Sequence, residues 1–174
     1  MIQKLLIFIG ITCLGLWGFF TVQARIEQST LEHELHLRSS QTSPVFARQR
    51  LQEGDLFGRL EVPRLNMSVM VMEGIGSKTL RLGAGHVPGA ALAFAAHRDS
   101  FFRPLKDVKV DDTIRMTTPD GITEFRVVST KVVPPNDTSI LDAASDKRLV
   151  LVTCYPFYYI GPAPKRFIVE AVKN

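Results

Sequence analysis

The chain is expected to fold as an all-β, loop-rich domain, and three observations point there. Ten prolines and twelve glycines fall between short apolar runs, which favours strands and turns over a helical bundle. Thr113–Thr118 and 122–133 flank Pro119-Asp120-Gly121, a hairpin signal whose Asp-Gly pair supplies the positive-φ position. Leu149-Val150-Leu151-Val152-Thr153 is apolar on both faces of an alternating pattern, the mark of a strand buried on both sides.

The 174 residues suit one compact domain with an appendage, divided as 1–25, 26–53 and 54–174. A net charge of +4 is mild and its basic residues are scattered, so no clustered cationic face for nucleic acid is expected. From Leu5 to Ala24 no residue is charged. A helix of roughly 20 residues rising about 1.5 Å each covers the ~30 Å hydrocarbon core. Val22-Gln23-Ala24 resembles a signal-peptide cleavage site, but the apolar run exceeds a usual signal core, so 1–25 reads as a retained anchor. Lys4 before it places the N-terminus in the cytoplasm and the rest outside. Residues 26–53 read as a polar stalk. His33 and His36 share a helical face there without a third ligand, so no metal site is assigned.

The folded domain begins near Gly54-Asp55. Segments 58–63 and 67–72 read as strands joined by a short turn, with Met67, Met70 and Met72 as core filler. Ser77 is expected to cap a short helix over 78–82 that stops at Gly83. Gly85-His86-Val87-Pro88-Gly89 reads as a turn, and 91–96 as a strand that delivers His97 at its end. Residues 101–105 suit a 3-10 piece, and Pro134-Pro135 breaks the sheet before a helical turn over 139–144. The strand at 149–153 leads to Cys154, and the run from Arg166 reads as the next strand. No nucleotide-binding glycine loop is present, so no nucleotide cofactor is expected.

Cys13 lies in the apolar N-terminal run, so Cys154 is a single thiol within the domain. Burial statistics alone make such a residue a small hydrophobe. Its neighbourhood argues otherwise. The thiol ends one strand and the Arg166 guanidinium begins the next, so the two can face each other across a hairpin mouth. A guanidinium favours thiolate and stabilises an oxyanion, and an imidazole can take a thiol proton and return it to a leaving amine. His97, Cys154 and Arg166 are thus the candidate acyl-transfer set, provided that the fold unites them.

The stretches 151–157 (Leu-Val-Thr-Cys-Tyr-Pro-Phe), 161–169 (Gly-Pro-Ala-Pro-Lys-Arg-Phe-Ile-Val) and 97–105 (His-Arg-Asp-Ser-Phe-Phe-Arg-Pro-Leu) resemble the sortases, most closely class D. Gly-Arg-Leu-Glu-Val-Pro-Arg-Leu at 58–65 resembles the family's domain start. The resemblance implies a closed eight-stranded β-barrel with short helices, behind one N-terminal transmembrane helix. It implies a thiol that cleaves an LPxTG-like sorting signal after threonine and passes the acyl group to an amine of a peptidoglycan precursor or pilin. Cys154 is then the nucleophile, His97 the general acid/base and Arg166 the oxyanion stabiliser, with Thr153, Tyr155 and Phe157 toward substrate. The implied setting is a bacterial cytoplasmic membrane with the catalytic domain outside; neither a cofactor nor a metal is called for. Two departures stand out: Val150 replaces the first threonine of the family's usual T-L-x-T-C, and the link between Pro88-Gly89 and His97 is several residues short, with Ala96 in place of a common glycine.

Three readings stay open on sequence: a membrane-anchored cysteine transpeptidase, a thiol hydrolase using the same residues with water, and a barrel that binds peptides without turnover. The third is favoured by a His97 held far from Cys154.

Overall fold

Alternation along the strands decides the architecture. The computed structural model describes residues 51–142 and 144–174. In β1 (Leu56–Val62) every second residue from Leu56 to Val62 is buried. After a 3-10 turn (Pro63–Leu65), β2 (Met67–Glu73) runs back antiparallel to β1. The helix α1 (Ser77–Leu82) then crosses over to β3 (Ala84–His86), which lies parallel to β2. β4 (Ala93–Ala95), a 3-10 segment (Arg103–Asp107), the hairpin of β5 (Thr113–Thr118) and β6 (Gly121–Val133), α2 (Ser139–Asp142), β7 (Arg148–Tyr155) and β8 (Lys165–Lys173) complete the order. Among the described residues the eight strands close in the order β1-β2-β3-β4-β7-β8-β6-β5.

The barrel interior holds Leu60, Val62, Phe94, Ile114, Phe125, Leu149, Leu151 and Val169, with Phe102 and Leu105 closing over it, all essentially inaccessible. Burial of such side chains is worth roughly 1.5–3 kcal/mol each and supplies the driving force for closure. Met67, Met70 and Met72 are buried, as filler should be. The wall made by β4, β7 and β8 is also covered outside. There Ala93, Val150 and Ile168 are buried under Val87, Val133, Leu141 and Ala144. That second layer explains the unbroken apolar run of β7.

Two local expectations are corrected. Ser77 does not cap α1: Gly76 occupies the cap position, without a side-chain cap bond, and Ser77 is the first helical residue. Gly85 and His86, read as part of a turn, belong to the strand β3. Gly85 there approaches the Gly74 carbonyl so closely that a Cβ would stand 2.2 Å from its oxygen. Such a short, glycine-bearing strand has no alternation to betray it. The anchor expected over 1–25 and the stalk up to residue 50 lie outside the described residues; among those described, no helix is long and apolar enough to cross a membrane.

Two carboxylates stitch the barrel. Arg64 Nη2 donates to Asp112 Oδ2 at 2.6 Å, its Nε also reaches Asp112, and the Lys109 amide donates to Oδ2 at 2.8 Å. The Arg64 bond outweighs burial and holds the Asp112 carboxyl below the ordinary carboxylate range. Lys131 Nζ donates to Glu170 Oε1 at 2.7 Å and lowers that carboxyl likewise. A folded-state value below the unfolded one contributes stability fully above the unfolded value, about 4, and loses it as pH falls through the folded value. Urea midpoints are therefore expected to be level above about pH 5 and to drop below about pH 4, and Asp112→Asn with Glu170→Gln should flatten that drop. An unchanged acid slope in the double variant would contradict the assignment.

Candidate active site

Strand parity decides which side of the wall each residue of β7 serves. Leu149 and Leu151 point into the barrel, and Val150, Val152 and Cys154 alternate with them onto the outer face. Cys154 is a free, half-buried thiol. Antiparallel pairing sets it directly opposite Arg166 of β8, so both side chains share the outer face. The Arg166 guanidinium is half-buried, and its Nη1 donates to the carbonyls of Lys165 at 3.0 Å and Ala163 at 3.3 Å. Among the described residues both of its hydrogen bonds use Nη1, which leaves Nη2 and Nε to meet an incoming group.

The other edge of β7 carries β4 in parallel, with Ala93, Phe94 and Ala95 beside Val150, Leu151 and Val152. The pairing runs one residue past the strand: the Ala96 amide donates to Val152 O at 3.3 Å, and Thr153 Oγ1 donates to Ala96 O at 2.7 Å. His97 follows at the level of Cys154. The short link before β4 is compact. A tight turn (Ala90 N–H to Val87 O, 3.1 Å) and the His86 ring, which meets Ala91 O at 3.0 Å through Nε2 and Glu73 Oε2 at 2.7 Å through Nδ1, bring the chain directly to β7.

Cys154, His97 and Arg166 line one cavity of about 360 Å³ on the outer face of the wall. Ile75, Leu80, Val87, Val152 and Leu141 give it an apolar lining, and Pro135, Asp137 and Thr138 form the side contributed by the β6–β7 connection. The His97 side chain is exposed at the mouth while the thiol is half-covered. Apolar walls shed water, which strengthens charge–charge and hydrogen-bond interactions inside. A thiol, a proton carrier and a permanent cation within one such cleft can together perform nucleophilic attack on a carbonyl.

Thr153 lines the same cavity, but its hydroxyl is committed to Ala96 O, so it holds the His97 approach in register. Tyr155 and Phe157 stand elsewhere. They join Phe167 in an aromatic cluster with ring centroids 5.3–6.3 Å apart, and Phe157 and Phe167 pack on the main core. Parity explains it: Tyr155 follows Thr153 on the inward side, away from Cys154. The residues missed on sequence, Leu80, Asp137 and Leu141, come from segments with no alternation or motif to single them out.

A family model described as Sortase domain matches residues 60–174. Sortase D of Bacillus subtilis (strain 168) is 34% identical over 126 residues, covering 68% of this chain and 64% of that protein. Sortase A of Listeria monocytogenes serovar 1/2a is 27% identical over 141 residues, covering 74% of this chain and 62% of that protein. The chain thus spans a little under two thirds of the length of these curated relatives. Among solved structures, a Clostridium perfringens Sortase D5 transpeptidase superposes with a TM-score of 0.74 at 21% identity, over 85% of this chain and 98% of that one. Sortase A from Corynebacterium diphtheriae, a lid mutant, gives a TM-score of 0.62 at 26% identity, over 74% of this chain and 73% of that one.

Thr153→Val keeps the β-branched shape and deletes the donor to Ala96. Its expected cost is about 1–2 kcal/mol in the free energy of unfolding, because a buried carbonyl loses its partner. Chemical denaturation measures it, and a wild-type midpoint with unchanged slope would show that this bond does not hold the segment.

Proposed function

The chain belongs to the sortase family, most like class D, and from that premise we propose that it is a membrane-anchored cysteine transpeptidase. Its substrates on this reading are secreted proteins bearing an LPxTG-like C-terminal signal, cleaved after the threonine. The acceptor is a primary amine of a peptidoglycan precursor or a pilin lysine. The observation that carries the reading is the joint lining of one cavity by Cys154, His97 and Arg166. The same observation supports turnover over a barrel that only binds.

The chemistry balances with those three groups. His97 accepts the thiol proton as Sγ of Cys154 attacks the threonine carbonyl carbon, and the carbonyl oxygen takes up the negative charge. The Arg166 guanidinium stabilises that oxyanion through its uncommitted donors. Collapse breaks the C–N bond, and the imidazolium protonates the departing amine. A thioester remains on Cys154. The acceptor amine then attacks the thioester, gives a proton to His97, and expels the sulfur, which is reprotonated. Water in place of the amine turns the same steps into hydrolysis.

The proposed setting is the outer side of a bacterial cytoplasmic membrane, with 1–25 as a single-pass anchor and its N-terminus inside. The uncharged run from Leu5 to Ala24 supports it.

Incubation with LPxTG-like peptides and candidate amines, followed by mass spectrometry of products and of the protein, tests the reading. The expected result is a ligated peptide and a trapped thioester on the wild-type chain, and neither on Cys154→Ala. Turnover retained by Cys154→Ala would remove the thiol from the mechanism, and cleaved product without any ligated one would make the protein a hydrolase. Arg166→Lys keeps a charge but not the planar fork, so kcat should fall by about 10²–10³-fold. Wild-type kcat in that variant would contradict the role of Arg166.

A further inference from the structure

The residue after His97 faces the other way. Arg98 is 9% exposed, and its Nη2 donates to the carbonyls of Tyr159 at 2.6 Å and Gly161 at 3.1 Å. Its guanidinium carbon lies 5.8 Å from the centre of the Tyr159 ring. All three contacts fall in the β7–β8 loop, the segment between Cys154 and Arg166. Arg103, from the same stretch of chain as Arg98, lies over the neighbouring Tyr158 ring, also at 5.8 Å.

Phe157 anchors the start of that loop on the core, and Lys106 and Arg103 meet Tyr158, but the stretch 159–161 depends on Arg98. Tyr158 is 75% exposed, Tyr159 45% and Ile160 fully so, and Gly161 has a left-handed φ of +98°. The stretch 158–161 buries little apolar surface and opens easily unless polar contacts tie it down. The stretch that grips it is itself firmly seated: the Phe102 amide donates to His97 O at 3.1 Å, and Phe102 and Leu105 are fully buried. The far end of the loop supplies Ala163 O, which together with Lys165 O at the start of β8 accepts from Nη1 of Arg166. Arg98 Nη1 is buried without a partner, a cost that an apolar side chain at this spot would not incur. The placement of Arg98 favours reaching the loop over satisfying its own donors.

We propose that Arg98 is a positioning residue of the reaction: its guanidinium clamps the β7–β8 loop to the His97 segment, so that the Ala163 carbonyl of the loop orients the Arg166 guanidinium toward Cys154. The proposal rests on the transpeptidase reading for its catalytic consequence, but the clamp itself can be measured without turnover. Arg98 then works on catalysis at a distance. Arg166 keeps its backbone register through β-pairing in any case, and the clamp governs the orientation of its guanidinium. Misplacement of a catalytic group by about 1 Å costs ~10²-fold in rate.

The test compares Arg98→Met and Arg98→Lys in the full chain, with kcat expressed per titrated Cys154 thiol in a Cys13→Ser background and amide hydrogen exchange followed across residues 157–164. Arg98→Met is expected to lower kcat by about 10²-fold with KM changed less than about threefold, and to speed exchange in the loop but not in β7 or β8. Arg98→Lys, which keeps a cationic donor for a loop carbonyl but is shorter and lacks the plane that lies by the Tyr159 ring, should recover about tenfold of that loss. Wild-type kcat per thiol in Arg98→Met, or unchanged loop exchange, would overturn the proposal, because a merely structural arginine lowers the folded fraction and not the rate of each folded molecule. If Arg98→Met does not fold, Tyr159→Ala carries the test: it removes only a half-exposed ring and should quicken loop exchange and lower kcat several-fold, and wild-type behaviour in both overturns the clamp. A wild-type chain that ligates no sorting peptide defeats the transpeptidase reading alone; loop exchange in Arg98→Met still decides the clamp.

Discussion

Strand β7 hydrogen-bonds to β4 along one edge and to β8 along the other, and this double pairing is the constraint on which the rest depends. The parallel register to β4 fixes how far along the wall His97 emerges, and the antiparallel register to β8 sets Arg166 opposite Cys154. A slip of one residue on either edge would turn a side chain to the opposite face of the sheet. Function on this account is held by backbone ladders and not by side-chain contacts among the three groups. The Thr153–Ala96 bond lengthens the β4 ladder by the one residue that matters.

Such a ladder stays in register because the wall is buried on both sides. Inside lie Phe94, Leu151 and Val169, and outside lie Ala93, Val150 and Ile168. The outer cover comes from the connections, so the segments that stabilise the wall also build the cleft: Val87 and Leu141 pack on the outer cluster and line the cavity. Packing and site are made by the same residues. Substitutions in this layer are thus expected to couple stability to the shape of the cleft.

Much of this was legible in the chain. The apolar run at 149–153 has no polar face, and only a doubly covered strand explains that pattern. From it follows the facing of Cys154 and Arg166, because one thiol closes a strand and one guanidinium opens the next. What was not legible has physical reasons. β3 is three residues long and owes its glycine to a close backbone approach, so it offered no alternation. Gly76, not Ser77, caps α1, and a cap without a side-chain bond leaves no polar signature. The resemblance implied Tyr155 and Phe157 toward substrate, whereas alternation carries Tyr155 inward and both join Phe167 in an aromatic cluster outside the cavity lining. The short link before β4 left the position of His97 open, and the structure brings it to the cavity that Cys154 lines.

The most direct measurement is a crystal structure of the chain with a peptidyl carbonyl attached covalently to the Cys154 sulfur. The account predicts a donor of Arg166 and a ring nitrogen of His97 within hydrogen-bond reach, about 2.6–3.2 Å, of the attached carbonyl and the leaving-group position. A structure in which the attached peptide fills the cleft while both side chains point away from the sulfur would contradict it.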